Sequence, residues 1–126
     1  MTSEPAIDFA GYRLLVVEDD YFIASDLGSW LEARGAEVLG PAGSVDDALA
    51  LLSADSMPDA AVLDINLGDE RVFPVAAALG DAHVPFVFLS GYDARIIPED
   101  YKAAPCCTKP LNRTQLLRAL AKALQG

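Results

Sequence analysis

The sequence holds only two cysteines, and they are adjacent, Cys106 and Cys107. Neighbouring thiols match neither a C-x-x-C redox pair nor the spacing of metal ligands, and on a strand they would point to opposite faces. They read as small core or half-buried thiols of a reducing compartment, which sets the expectation of a cytoplasmic protein. Positive charge is also scarce. Nine Lys and Arg stand against nineteen Asp and Glu, a formal charge of −10. A polyanion would have to approach against that field, so direct nucleic-acid binding is not expected. The one histidine, His83, sits in the loop-like GDAHVP and reads as an exposed loop residue rather than a phosphocarrier. No unbroken apolar run approaches the roughly 20 residues of a bilayer span, so no membrane role is expected. Residues Met1–Phe9 have neither the basic start nor the apolar stretch of a secretory signal. They read as a mobile arm, with residues 1–11 preceding a domain of 12–126.

What is present is apolar and periodic. The chain is 52% hydrophobic with a mean hydropathy of +0.26, too apolar for a disordered chain. At 126 residues it is expected to form one domain, burying about two-thirds of its unfolded surface, with no room for a second output domain. Leu14–Val17 reads as a first strand. Ile23, Leu27, Trp30 and Leu31 then recur at helical spacing up to Gly35, which places Trp30 in the core. Ala36–Leu39 reads as a second strand, and Ser44 with Asp47 as a capping box opening a second helix. Ala60–Leu63 is a third strand ending at Asp64, followed by a loop and a helix of about Val72–Leu79 in which Pro74 must lie in the first turn. Phe86–Leu89 and Pro105–Thr108 are the fourth and fifth strands. Asn112 with Gln115 caps a last helix carrying Leu116, Leu117, Leu120 and Leu124. Strands that are apolar throughout, separated by helices, imply an α/β fold with a parallel sheet covered on both faces.

One connection is too short for its task. Fifteen residues separate Ser90 from Cys106, with a glycine, two prolines and no sustained helical period, whereas a crossover needs at least a dozen. The fourth helix is therefore expected to be short or irregular and the least ordered element.

The strand ends carry the chemistry. Ligands of open parallel sheets bind beyond the carboxyl ends of the strands. Here those ends carry Glu18, Asp19 and Asp20 after the first strand, Asp64 after the third, Ser90 after the fourth and Lys109 after the fifth. Carboxylates held 4 Å apart repel by about 4 kcal/mol at the effective dielectric of a protein surface, so the acids call for compensation. Taken singly each residue has an ordinary reading. Asp20 can cap the first helix, Asp64 can cap a turn, a serine before glycine is turn chemistry, and a lone lysine is a surface residue. Together at successive strand ends they make a set suited to a hard divalent cation and a phosphoryl group.

The motifs LLVVEDD, AVLDINL, FVFLSGY and CTKPL, with Asp19, Asp64, Ser90 and Lys109 spaced 45, 26 and 19 positions apart, resemble the receiver domain of two-component response regulators. The resemblance spans about residues 12–125. GDERVFPVA, VPFVFLSGYD and the shortened fourth connection are similar to the single-domain FAT GUY subgroup, with serine at the hydroxyl position of its FATGY signature. It implies a flavodoxin-like, doubly wound five-stranded sheet in the order 2-1-3-4-5. It implies that Asp64 accepts a phosphoryl group from a histidine kinase and that Asp19, Asp64 and the backbone carbonyl of Asn66 ligate Mg²⁺, with Glu18 acting through a metal-bound water. Ser90 and Lys109 would contact phosphoryl oxygens, and Pro110 would fix the turn that follows. It implies a signalling domain, catalysing only its own phosphorylation and dephosphorylation, that acts on a downstream protein as a monomer or weak homodimer.

Typical receivers carry an aromatic three residues before the lysine. Here that position is Cys106, which leaves Tyr92 or Tyr101 to respond to Ser90, and the segment Gly91–Ala104 to order on phosphorylation. Two other functions fit parts of the pattern. One is a phosphorylation-independent pseudo-receiver. The other is a Mg²⁺-dependent phosphatase of the haloacid dehalogenase type, which requires D-x-D after its first strand, whereas this chain has Asp64-Ile65-Asn66 after its third.

Overall fold

The computed structural model describes residues 6–54, 57–91 and 96–125. Five strands, β1 (Arg13–Val17), β2 (Glu37–Ala42), β3 (Ala60–Asp64), β6 (Phe86–Ser90) and β7 (Cys106–Thr108), form one sheet in the order β2-β1-β3-β6-β7. All its pairings are parallel. This is the flavodoxin-like order 2-1-3-4-5 with the reversal between β1 and β3. Two further strands, β4 (Asn66–Leu67) and β5 (Glu70–Arg71), make a small antiparallel hairpin after β3, where the sequence suggested only a loop. Gly68 at φ +63° opens its two-residue turn, a conformation that glycine enters without the Cβ clash.

Side chains alternate across the sheet as the pleat requires. Leu14, Val16, Val62 and Leu89 join one core with Leu27 and Leu31 of α1 (Tyr21–Glu32) and Leu116, Leu117 and Leu120 of α4 (Arg113–Leu124). Leu15, Val17, Leu63 and Phe88 join the other with Val45, Ala48 and Leu52 of α2 (Val45–Ala54) and Val75, Ala76 and Leu79 of α3 (Phe73–Asp81). Each fully buried aliphatic chain stabilises the fold by about 1.5–3 kcal/mol. The adjacent cysteines obey the same alternation: Cys107 is buried in the α1/α4 core and Cys106 packs against the other. Trp30 is half-buried on the α1/α4 side, and His83 is an exposed loop residue at φ +60°.

Helix starts follow the expected caps. Asp20 accepts from the backbone N–H of Phe22 and Ile23, Ser44 Oγ from that of Asp47, and Asn112 Oδ1 from that of Gln115. Pro74 lies in the first turn of α3. The second strand runs later than expected, to Ala42 rather than Leu39. Between β6 and β7 the described residues contain a 3-10 turn at Glu99–Tyr101 and no α-helix. Tyr92 lies outside the described residues. Tyr101 stacks on Phe73 with ring centroids 5.9 Å apart and meets Phe86 and Phe88 edge-on.

The mobile arm is corrected from residue 6 onward. Phe9 is 1% exposed within the α1/α4 core and Ile7 packs beside it. The Phe9 N–H donates to the carbonyl of Arg34 at 2.7 Å. Its ring outweighs the ordering cost of the short segment. Gly35, at φ +95°, lets the segment pass, because a Cβ there would lie 3.0 Å from Ala10 Cα.

Phe9→Ala should therefore lower the unfolding free energy by about 3–5 kcal/mol, whereas Phe22→Ala, at a position 78% exposed, should change it by less than about 0.5 kcal/mol. Urea titration followed by circular dichroism checks both.

Candidate functional site

The parallel register sets the ends of β1, β3, β6 and β7 side by side. Val17 pairs with Leu63, Asp64 with Leu89, and Ser90 with Thr108. The residues that follow each apolar run therefore converge on one edge. They border a cleft of about 580 Å³ whose walls include Glu18, Asp19, Asp64, Asn66, Gly91 and Lys109. Ser90 is 1% exposed at the end of β6, and its carbonyl accepts from the Lys109 N–H at 2.9 Å. Gly91, rather than Ser90, lines the cleft. Asp20 also lines it but spends its carboxylate on the N-terminus of α1.

Lys109 is the hub. Its Nζ lies 3.0 Å from Glu18 Oε1 and donates to Asp64 Oδ2 at 3.1 Å. Asp64 Oδ1 accepts from the backbone N–H of Asn66 at 3.2 Å, and Glu18 Oε2 from that of Asp20 at 3.0 Å. The lysine ion-pairs with the buried Glu18 Oε1, which has no other polar partner among the described residues. Burial acts to lower the Lys109 pKa, but the two neighbouring carboxylates outweigh it and hold it above the ordinary lysine value. Glu18, 2% exposed, is pushed up to about 7, first by burial and then by sharing a hydrogen bond and like charge with Asp64. Opposite charge stabilises the ammonium while crowding destabilises the carboxylate.

The set fits a hard divalent cation. One carboxylate oxygen from each of Glu18, Asp19 and Asp64 lies within 4.8 Å of the others, and the buried Glu18 Oε1, whose one polar neighbour among the described residues is the Lys109 ammonium, has coordination capacity left for a cation. Asn66 borders the same cleft. Its side chain is held by a contact that sequence reading missed: Arg71 Nη1 donates to Asn66 Oδ1 across the directly opposed β4–β5 pair. From the same hairpin, Glu70 Oε2 accepts from the Val45 N–H at 3.3 Å and ties the site loop to the start of α2. The Gly-Asp dipeptide of LGDER was the available signal, since such a two-residue turn marks a hairpin.

A five-stranded parallel sheet with acids, a hydroxyl and a lysine gathered at its carboxyl edge defines a receiver-type α/β domain. No family model matches the chain. It is 32% identical over 114 residues to the sensory transduction protein LytT of Bacillus cereus, covering 87% of this chain and 46% of that protein. The solution structure of SdrG from Sphingomonas melonis superposes with a TM-score of 0.77 at 34% identity, covering 97% of this chain and 99% of SdrG. The crystal structure of the response regulator PhyR from Brucella abortus superposes with a TM-score of 0.81 at 30% identity, covering 95% of this chain and 50% of PhyR. The chain spans about half the length of the curated relatives it matches. It belongs to the receiver-domain family of response regulators, a family of signalling domains rather than classical enzymes.

The raised Glu18 pKa gives metal-free stability a pH dependence. Between the ordinary value of 4.5 and about 7, the folded state holds a proton that the unfolded state has lost, so stability falls as pH rises through this window. Glu18→Gln should remove that slope and stabilise the metal-free protein at pH 8 by about 2 kcal/mol. Denaturant titrations from pH 4.5 to 8 in a chelator check this, and an unchanged slope in the variant would contradict it.

Proposed function

We propose that the chain is a phosphoacceptor receiver in which Asp64 takes a phosphoryl group from a phosphohistidine of a kinase. The observation that carries this reading is the Lys109 ammonium lying between Glu18 and Asp64 in a cleft where three carboxylates converge. In the transfer, an Asp64 carboxylate oxygen attacks phosphorus in line. A P–O bond forms as the P–N bond breaks, and the electron pair passes to the imidazole nitrogen, which leaves as a neutral ring when its other nitrogen is protonated.

Lys109, 3.1 Å from Asp64 Oδ2, would exchange that partner for a phosphoryl oxygen, and Ser90 would donate a hydrogen bond to a second. Glu18, Asp19, Asp64 and the Asn66 carbonyl would hold Mg²⁺, which when bound neutralises charge on the transferring group. The same residues are assigned to hydrolysis of the acyl phosphate. Tyr101, ringed by Phe73, Phe86 and Phe88, takes the aromatic role that Cys106 cannot fill. Its packing supports it as the element that responds when Ser90 moves, and with it the reading of an ordering connection between β6 and β7. Membership of the FAT GUY subgroup, a cytoplasmic location, and a downstream protein partner belong to this proposal. No helix among the described residues is long and apolar enough to cross a membrane. The phosphatase alternative has little support beside relatives that are response regulators.

Asp64→Asn should abolish label uptake from a phosphorylated kinase and from acetyl phosphate, and a chelator should do the same to the parent protein. Ser90→Ala should slow uptake by about 10². Uptake by Asp64→Asn at the parental rate would refute the assignment. Tyr21 and Phe22, 77% and 78% exposed at the start of α1, directly after the cleft residue Asp20, form an edge-on ring pair open to an incoming protein. Replacing both with Ala should slow transfer from a protein donor by about tenfold while leaving acetyl phosphate uptake unchanged, as stopped-time labelling with each donor would report.

A further inference from the structure

Asn66 stands two residues beyond Asp64 and borders the same cleft. Its backbone N–H donates to Asp64 Oδ1 at 3.2 Å, which keeps the two residues close. The side chain of Asn66 ends in a carboxamide, with an acceptor at one tip and donors at the other in nearly the same shape. Which tip faces an anion decides whether the side chain attracts or repels it. Packing alone does not choose, because a half-turn about Cβ–Cγ exchanges oxygen and nitrogen at little steric cost.

Arg71 makes the choice. Its Nη1 donates to Asn66 Oδ1, and a guanidinium carries donors only, so the amide has to give it the oxygen. The NH2 is the tip left over for the cleft. The hairpin fixes Arg71 for this task. Asn66 and Arg71 are directly opposed in the β4–β5 ladder, Leu67 and Val72 on either strand are 3% and 0% exposed, and the Val72 N–H donates to the Ile65 carbonyl at 3.0 Å. Glu70, next to Arg71, is tied to the Val45 N–H at 3.3 Å. In a chain with nineteen acids, Asn66 is the one polar partner of the Arg71 side chain among the described residues. Its charge goes to orienting a neutral amide.

We propose that Arg71 is a positioning residue of the phosphoacceptor site: by holding the Asn66 side-chain oxygen it turns the amide NH2 toward the phosphoryl group carried by Asp64. The role rests on the phosphoacceptor reading of Asp64. It adds a neutral donor to the ammonium of Lys109 and the hydroxyl of Ser90, and a donor already oriented before the anion arrives needs no reorganisation when it does. Without Arg71 the amide is free to present its oxygen, which repels a phosphoryl oxygen. Arg71 acts through Asn66 and touches neither the phosphoryl group nor its donor.

The test uses the whole chain and the variants Arg71→Met, which keeps the aliphatic stem without donors, Arg71→Lys, Asn66→Ala and Arg71→Met with Asn66→Ala. In the metal-free parent, nitrogen relaxation of the Asn66 side-chain NH2 should give an order parameter near that of rigid backbone, about 0.8, and Arg71→Met should lower it below about 0.6. With Mg²⁺ and acetyl phosphate, Asn66→Ala should slow label uptake by about tenfold and Arg71→Met by about fivefold. Arg71→Lys, whose ammonium again has donors only, should keep most of the rate. The double variant should be no slower than Asn66→Ala alone, because the arginine then has nothing left to orient. Amide exchange at Val45 should stay protected in Arg71→Met, showing the hairpin intact. An unchanged order parameter in Arg71→Met would overturn the proposal. So would further slowing in the double variant, which would place Arg71 on the phosphoryl group itself, or lost protection at Val45, which would make it a brace of the hairpin. A parent protein that takes no label would refute the reading of Asp64 and the role of Arg71 with it, whereas a labelled parent with additive variants would refute the role of Arg71 alone.

Discussion

The site rests on one electrostatic constraint: three carboxylates brought together where two of them are almost out of water. At separations near 4 Å each pair repels by about 4 kcal/mol at an effective dielectric of 20, and burial adds a desolvation cost. The Lys109 ammonium, 3.0 Å from Glu18 and 3.1 Å from Asp64, offsets part of this. Glu18 shows how incompletely, with a pKa still pushed up to about 7. The crowding is relieved only when further positive charge arrives. A cluster of carboxylates built this way could hold a divalent cation.

The rest of the fold serves to keep that edge in place. Glu18, Asp64 and Lys109 come from three strands, and only a register held by cores on both faces aligns their ends to within an ion-pair distance. The β4–β5 hairpin adds a brace from outside the sheet. Arg71 grips the Asn66 side chain, Leu67 is buried, and Glu70 reaches the first N–H of α2. The hairpin that follows Asp64 at the cleft is thereby coupled to a neighbouring helix rather than left to solvent. On the far side of β6, Tyr101 is fastened by Phe73, Phe86 and Phe88. Its ring anchors a connection whose described residues form 3-10 structure and no α-helix.

The two ends of the molecule have opposite character. The acid cluster and the exposed rings of Tyr21 and Phe22 lie toward one end of α1, while β7 and α4 present cations around an apolar trough. Net charge alone had pointed to a uniformly anionic surface. It averages over a division that the order of residues along the chain contains but that a total conceals.

Local patterns made most of the architecture readable. Four apolar runs ended close to where the strands do, and Asp20, Ser44 and Asn112 cap the helices they precede, because a cap needs only its own next few residues. The succession of Glu18, Asp64, Ser90 and Lys109 at strand ends marked the cleft, since parallel topology leaves those ends together. The docking of Phe9 was not readable, nor were the hold of Arg71 on Asn66, the ring cluster around Tyr101 and the groove beside α4. Each depends on distance between residues remote in sequence, which periodicity does not encode. Residue order therefore determined which groups reach the edge. Tertiary packing decided how closely they crowd, which is what sets their protonation and their appetite for a cation.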